Sequence, residues 1–549
     1  MVIQQPGNFS DVPDKNEINK KKVDVLVKEY SPTSIILLNE NSAEKNRYLG
    51  WNSRKSFLAW LLICFSTGPV SAMAKTYVPV VIQDITYTLG HPKKLPNKKC
   101  EQFGSDCYFE FNGHLVQATA YVTYLKAIYT SLEGLVAIVL MGIADFSNYR
   151  KWLMCVSIAL FSMICFILLG VAWEQTYGRL VGSSILYVVM LICDTIYQIT
   201  QGSYIPVFMK AKYDEVQNCN SMLKTGATVS AMGIIASNLG GILGLIIGVV
   251  IVYTHRVVST YRNYLIAIII GGGISLFCVS IGSFFLPNFK GEKFQYSIKK
   301  NGSLQVVSYP FKRFTRILKD IYQYKEAFKY VVGWVLWNIS YSNFLFIFGL
   351  LFRTTLGLGK SASEYTIFQF VSYIAASLGS FGWMLAYRNW NGSHKASTKL
   401  IKYTLYFLLT IGLFSNIWGS IGASSSSGIG FKHGWEFWLF QIFFTSSSSA
   451  IRSLNRAVYS ALLPTGKENE YFGLEVMLGL ATGWCESLII AEIQNNTGNL
   501  RVPFIPNLCL FAISIFFFWW TDLDKGMKQV GKLEKTALDP LTSETGEII

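Results

Sequence analysis

Runs of about 20 mostly apolar residues recur along this chain, near 57–82, 116–144, 152–173, 181–208, 226–254, 263–287, 329–352, 365–387, 400–421, 434–463, 472–493 and 503–521. Inside a bilayer, lipid offers the backbone no hydrogen-bond partner, so such a run spans only as a helix that satisfies its own groups. Of 549 residues, 51% are hydrophobic and 15% charged, against about 25% charged in a soluble protein. The fold class expected is therefore an all-α multispanning membrane protein with about 12 transmembrane helices. A disordered chain, a collagen-like chain and an ordinary soluble enzyme are excluded.

The polar stretches set the expected topology. Residues 1–55 are hydrophilic, carry Lys20–Lys22 and no cleavable signal peptide, and read as a disordered cytosolic tail; residues 522–549 read as a second, short polar tail in the cytosol. The longest link, 288–328, holds nine basic residues, Lys290 to Lys325, against Glu292, Asp320 and Glu326, and the link 388–399 adds Arg388, Lys395 and Lys399 without an acid. Lys and Arg concentrate on the cytosolic side, which puts both termini and the 288–328 linker in the cytosol. The net charge of +15 is thereby topological. The linker also divides the chain into an N-terminal six-helix bundle at 56–287 and a C-terminal one at 329–521, an arrangement that resembles the major-facilitator fold. In the first non-cytosolic loop, Cys100 and Cys107 stand either as a disulfide or as two free thiols. Sequons at Asn301 and Asn391 fall in cytosolic links, and that at Asn495 lies close to the membrane.

No Walker loop, dinucleotide fingerprint, zinc spacing or nucleophile elbow occurs in the sequence. No cofactor, no metal and no enzyme activity is expected, and transport, if it occurs, runs on a gradient rather than on ATP. The basic clusters sit beside spans, so no nucleic acid is expected as a partner; the expected partners are the lipid bilayer and a small-molecule substrate, with the protein a monomer.

The link after the second run reads Gly142-Ile-Ala-Asp145-Phe-Ser-Asn-Tyr-Arg150-Lys151. It resembles the major-facilitator signature, in which the acid and the base latch one conformer; Asp145 and Arg150 take those positions here. Three further stretches narrow the resemblance: Phe65-Ser-Thr-Gly68-Pro69 leading to Thr76-Tyr-Val-Pro79, then Gly202-Ser-Tyr-Ile-Pro206-Val-Phe208, then Asn455-Arg456-Ala-Val-Tyr-Ser460 followed by Pro464-Thr-Gly-Lys-Glu468. With Thr497-Gly-Asn499-Leu-Arg501 they are similar to the fungal autophagy-related protein 22 family of vacuolar effluxers. The likeness covers most of 57–521. It departs where the family's acid before the first-span proline is Gly68, where a seventh-span acid gives way to Asn338 and Ile339, and at Ser230-Ala231 in the fifth span. The resemblance implies a multi-pass protein of the vacuole membrane that exports amino acids to the cytosol after autophagic degradation.

Charges deep in a bilayer are costly and point to function. Glu133 lies twelve residues from Asp145, and Asp194 twelve before Pro206, each roughly 18 Å into its span. Glu486 is near the middle of the eleventh span, and Arg456 lies about 12 Å in from the end of the tenth. Asp194, Gln198 and Gln201 share a helix face. If the first, fourth, seventh and tenth spans line the cavity, as the resemblance implies, Asp194 and Arg456 face one another. An arginine fork suits a substrate carboxylate, and a desolvated carboxyl suits a coupling proton. The alternative is a structural Asp194–Arg456 pair, or Arg456 reaching the headgroups with Arg452. Lys75 and Lys126 read as snorkelling residues, Phe516–Trp520 as interfacial anchors, and Ser446–Ser449 as a close helix contact. Two other functions stay open at this point: a plasma-membrane carrier of another small solute, or a non-transporting membrane scaffold or sensor.

Overall fold

The computed structural model describes residues 53–93, 99–100, 107–144, 150–202, 204–205, 208, 219–254, 260–287, 303–356, 362–388, 394–424, 426–463 and 468–530. Each apolar run becomes a long helix. In the first half these are α1 (Ser53–Leu89), α2 (Ala118–Ala144), α3 (Arg150–Val171), α4 (Tyr177–Gly202), α5 (Cys219–Thr254) and α6 (Thr260–Phe285). An amphipathic helix, α7 (Ser303–Gln323), precedes the second half: α8 (Lys325–Thr355), α9 (Ala362–Arg388), α10 (His394–Ile421), α11 (Gly434–Leu462), α12 (Glu468–Thr497) and α13 (Phe504–Trp520), with a short α14 (Leu523–Gln529). Among the described residues nine helices are long and apolar enough to cross a membrane, or ten if the bent pair α13–α14 is one span. The described residues from Phe57 onward form one compact unit.

Large apolar side chains on the outer faces, such as Phe277 at 68% exposure, Phe284 at 84% and Phe407 at 67%, would be a liability in water and are the lipid-facing surface of a bilayer protein. Trp519 and Trp520 are exposed at the end of α13, with the Lys329 ammonium 4.5 Å from the Trp520 ring centroid. That is the position of an interfacial anchor.

Inside, small residues let backbones meet. Pro69 cannot donate to Phe65, and the freed Phe65 carbonyl faces α5 at Gly240, where a Cβ would lie 2.2 Å from it. Gly68 packs as closely: a Cβ there would fall 2.2 Å from the Ser237 carbonyl oxygen. An acid at position 68 therefore has no room beside α5. The second half repeats the device between α9 and α11, where a Cβ on Gly379 would lie 2.1 Å from the Ser446 carbonyl oxygen. Beside it Ser380 and Ser449 hydroxyls are 2.6 Å apart, and Ser453 donates to Ser380 at 3.1 Å.

Two features lay outside the expected outline. Between α1 and α2, β1 (Tyr108–Phe111) pairs antiparallel with β2 (His114–Gln117). Their turn, Asn112-Gly113, has φ of 49° and 81°, the two left-handed positions of a tight hairpin. Cys100 and Cys107 are joined as a disulfide at its base, Cα atoms 5.7 Å apart. This hairpin marks one end of the molecule, and α7 marks the other. Within the 288–328 linker, α7 buries Ile317 and Ile321 against a core that includes Ala137 and Ile138 of α2 and Val331 of α8. The polar stretch from 522 opens with α14, where Asp522 N donates to Glu326 Oε2 at 2.9 Å and Leu523 and Met527 are buried.

Gly379→Val should cost about 1–3 kcal/mol or more through overpacking and lower the melting temperature of the purified protein by several degrees. Gly382→Val, where an added Cβ meets nothing within 4 Å, should leave melting nearly unchanged. Equal melting of the two variants would contradict the α9–α11 contact.

Candidate functional site

A lysine or carboxylate at membrane depth needs a partner, because removing one member of a buried pair strands the other charge. In the first half, Lys75 Nζ of α1 lies 2.7 Å from Asp194 Oδ2 of α4. Gln198 Nε2, one turn on, donates to the same oxygen at 2.6 Å. The neighbouring Thr195 hydroxyl donates to Glu133 Oε1 of α2 at 2.8 Å. One short stretch of α4 thus gathers two carboxyls and an ammonium from three helices. Asp194 is 7% exposed, while Lys75 keeps 42% of its side chain accessible.

Lys75 and Lys126 were expected to snorkel, and the structure corrects both. A lysine snorkels when no internal acceptor competes with the headgroups, and here each finds one. Lys126 of α2 is 2% exposed. Its Nζ donates to Asn343 Oδ1 at 2.5 Å and to the Ser342 carbonyl at 3.2 Å, both on α8. The Phe346 ring centroid lies 4.7 Å away. Asn343 Nδ2 in turn donates to Glu486 Oε2 of α12 at 2.5 Å, and Ser487 donates to Asn343 Oδ1 at 3.3 Å. The other Glu486 oxygen, Oε1, is buried without a hydrogen-bond partner.

This chain joins the two halves, and it has company. Arg353 of α8 donates to Gln83 of α1 at 2.6 Å, the Tyr77 and Thr366 hydroxyls are 2.8 Å apart, Thr123 donates to Gln494 at 2.7 Å, and Tyr124 donates to Glu492 at 2.7 Å. Among the described residues these inter-half bonds gather between mid-helix and the hairpin end. The conformer is closed there.

The remaining expected site residues stand as follows. The Asp194–Gln198 face is assembled, and Gln201 further along it donates to Cys64 Sγ at 3.2 Å. Glu133 and Glu486 are buried on α2 and α12. Arg456 lies on α11, but its side chain is outside the described residues, so the Asp194–Arg456 facing is not part of the geometry; the partner found for Asp194 is Lys75. Arg150 opens α3 and is buried, while Asp145 is outside the described residues. Sequence reasoning missed Asn343 and Gln83, polar residues inside long apolar helices whose spacing carried no signal of their charged partners. Arg353 it also missed, although a base in the last turn of a span was visible.

Removing Lys75 leaves Asp194 unbalanced, whereas removing both charges does not. Lys75→Met should therefore destabilise the purified protein more than Lys75→Met/Asp194→Asn, with a coupling of about 0.5–3 kcal/mol in a double-mutant cycle of melting curves. Additive effects would contradict the pairing.

A family model described as vacuole effluxer Atg22 like matches residues 52–531. Autophagy-related protein 22 of Candida albicans is 43% identical over 488 residues, covering 88% of this chain and 93% of the relative. Its namesake in Kluyveromyces lactis is 21% identical over 509 residues, covering 89% and 98%. Among solved structures, the human organic anion transporter MFSD10 superposes with a TM-score of 0.56 at 10% identity, covering 85% of this chain and 99% of that one. The Escherichia coli xylose transporter XylE, in a partially occluded inward-open conformation, gives 0.52 at 12% identity, covering 85% and 99%. At those identities the structures speak for the fold alone, and that fold is the major-facilitator one of two six-helix bundles. With the family model covering nearly all of the described helices, this chain is a multi-pass membrane transporter of the Atg22-like vacuole effluxer family.

Proposed function

We propose that the protein exports amino acids from the vacuole lumen to the cytosol by gradient-driven alternating access, with the hairpin end lumenal and both termini and α7 cytosolic. The observation that carries this reading is the Lys75–Asp194 pair, an ammonium and a buried carboxylate set together on α1 and α4 with the Lys75 side chain still accessible. A zwitterion needs one group of each sign. Lys75 offers a cation to its carboxylate, and Asp194 with Gln198 offers acceptors to its ammonium. The bound substrate would then replace the internal ion pair by two new ones, so that neither protein charge is stranded.

The same cluster suits proton coupling. Glu133 and Asp194 set two carboxyls beside one nearby ammonium, the groups a coupled proton would need. Asp145 and Arg150 keep their assignment as the conformational latch and Arg456 as a contributor from the second half. The bonds at the hairpin end fit a conformer shut toward the lumen, as a carrier about to release cargo to the cytosol would be. Vacuolar location follows the family's name, and the basic α7 end follows the positive-inside rule.

The reading is tested on vacuoles isolated from a deletion strain with and without the restored gene, preloaded with a panel of radiolabelled amino acids. Efflux should accelerate with the gene and slow when the proton gradient is collapsed. Asp194→Asn should lower the rate by about tenfold or more at equal protein level, the scale of one charge-assisted hydrogen bond. Unchanged efflux on restoration, or normal efflux in both Asp194→Asn and Arg456→Gln, would contradict it.

A further inference from the structure

Lys126 is held as a ligand would be. A primary ammonium has three N–H donors and no acceptor. Here the Asn343 amide oxygen and the Ser342 carbonyl take two directions, at 2.5 and 3.2 Å, and the Phe346 ring lies 4.7 Å from the nitrogen. An aromatic face with carbonyl oxygens and an acid behind them is the chemistry that recognises ammonium groups. Every one of those groups belongs to the second half, on α8 and α12, whereas Lys126 comes from α2 of the first. Glu486 completes the cage through Asn343 and still has one buried oxygen without a partner.

We infer that Ser342, Asn343, Phe346 and Glu486 form a primary-ammonium subsite, which Lys126 fills in the conformer closed at the hairpin end. When the halves part at that end, α2 carries Lys126 away. The cage then opens toward the loading side with a buried carboxylate lacking its compensating charge, an arrangement that costs several kcal/mol unless a cation replaces it. The ammonium of an incoming amino acid has the same three donors and takes the place. Closure returns Lys126, which displaces that ammonium toward the Asp194 cluster. Lys126 is thus an internal competitor that ties closure of the loading side to release of cargo from its first station. The substrate half of this inference rests on the amino-acid reading; the cage's preference for primary ammonium does not.

The test uses the purified full-length protein. Lys126→Ala empties the cage, and n-propylammonium chloride should then raise its melting temperature in a saturable way, by several degrees. Tetramethylammonium, which has charge but no N–H donor, and propionate should not. Wild-type protein, whose cage is filled, should shift far less, and Lys126→Ala/Glu486→Gln should lose the response. An equal shift in wild type and Lys126→Ala, or an equal shift with tetramethylammonium, would overturn the inference. Should Lys126→Ala fail to fold, Phe346→Leu in the wild-type background decides: it should weaken inhibition of efflux by n-propylammonium about threefold or more, and unaltered inhibition would overturn the inference. A cage that binds propylammonium in a protein moving no amino acid would leave the subsite standing and remove the transport reading. Amino-acid efflux with an amine-blind cage would do the reverse.

Discussion

Every charge placed inside the helical assembly needs its partners inside it, because lipid offers none. That constraint organises the structure. Lys75 and Asp194 tie α1 to α4, Thr195 and Glu133 tie α4 to α2, and the Lys126–Asn343–Glu486 chain ties α2 to α8 and α12. The first two links lie within one half, and the third crosses between halves. Under the proposed alternating access the first two would persist as that half moves and the third would break as the molecule opens, so one class of interaction would supply both a binding floor and a joint that can part.

Close backbone contact is the complement of that polar framework. Lipid tails are as apolar as leucine, so helices in a membrane associate through packing rather than through water exclusion. Gly68, Gly240 and Gly379 bring α1 to α5 and α9 to α11 at distances no side chain would permit. Under the proposed alternating access, the halves would keep their internal shape for this reason and move at the boundary between them. At the hairpin end hydroxyls, amides and the Arg353 guanidinium meet across it, beside a buried apolar cluster that draws on both halves, with Tyr77 and Ile85 from the first and Phe348 and Phe352 from the second.

The helices were readable in the sequence because each run of apolar residues has one physical outcome in a bilayer. The hairpin's turn signal, Phe111-Asn112-Gly113-His114, is short, and the strands it joins are four residues each, too brief for an alternation of their own to show. In helix α7 the buried Ile317 and Ile321 sit among lysines whose charge dominates the linker. At the site, the depth of Asp194, Glu133 and Glu486 followed from counting residues along a helix. Their partners did not follow. Lys75 and Lys126 look alike from sequence, near the ends of their spans, and only the rotation of α1 and α2 turns both inward. Asn343 is one polar residue among aromatics until α12 places Glu486 against it.

Under the proposed alternating access, the seam at the hairpin end opens and closes while each half stays intact. Tyr124 and Glu492 sit on opposite sides of it, hydroxyl to carboxylate 2.7 Å apart. Spin labels at these two positions, in protein reconstituted into liposomes with its free cysteines replaced, report the separation directly by electron–electron distance measurement. The account predicts two populations, one short and one longer by several ångströms, whose ratio shifts when amino acid or a proton gradient is applied. A single short distance, the same with and without substrate and gradient, would contradict it.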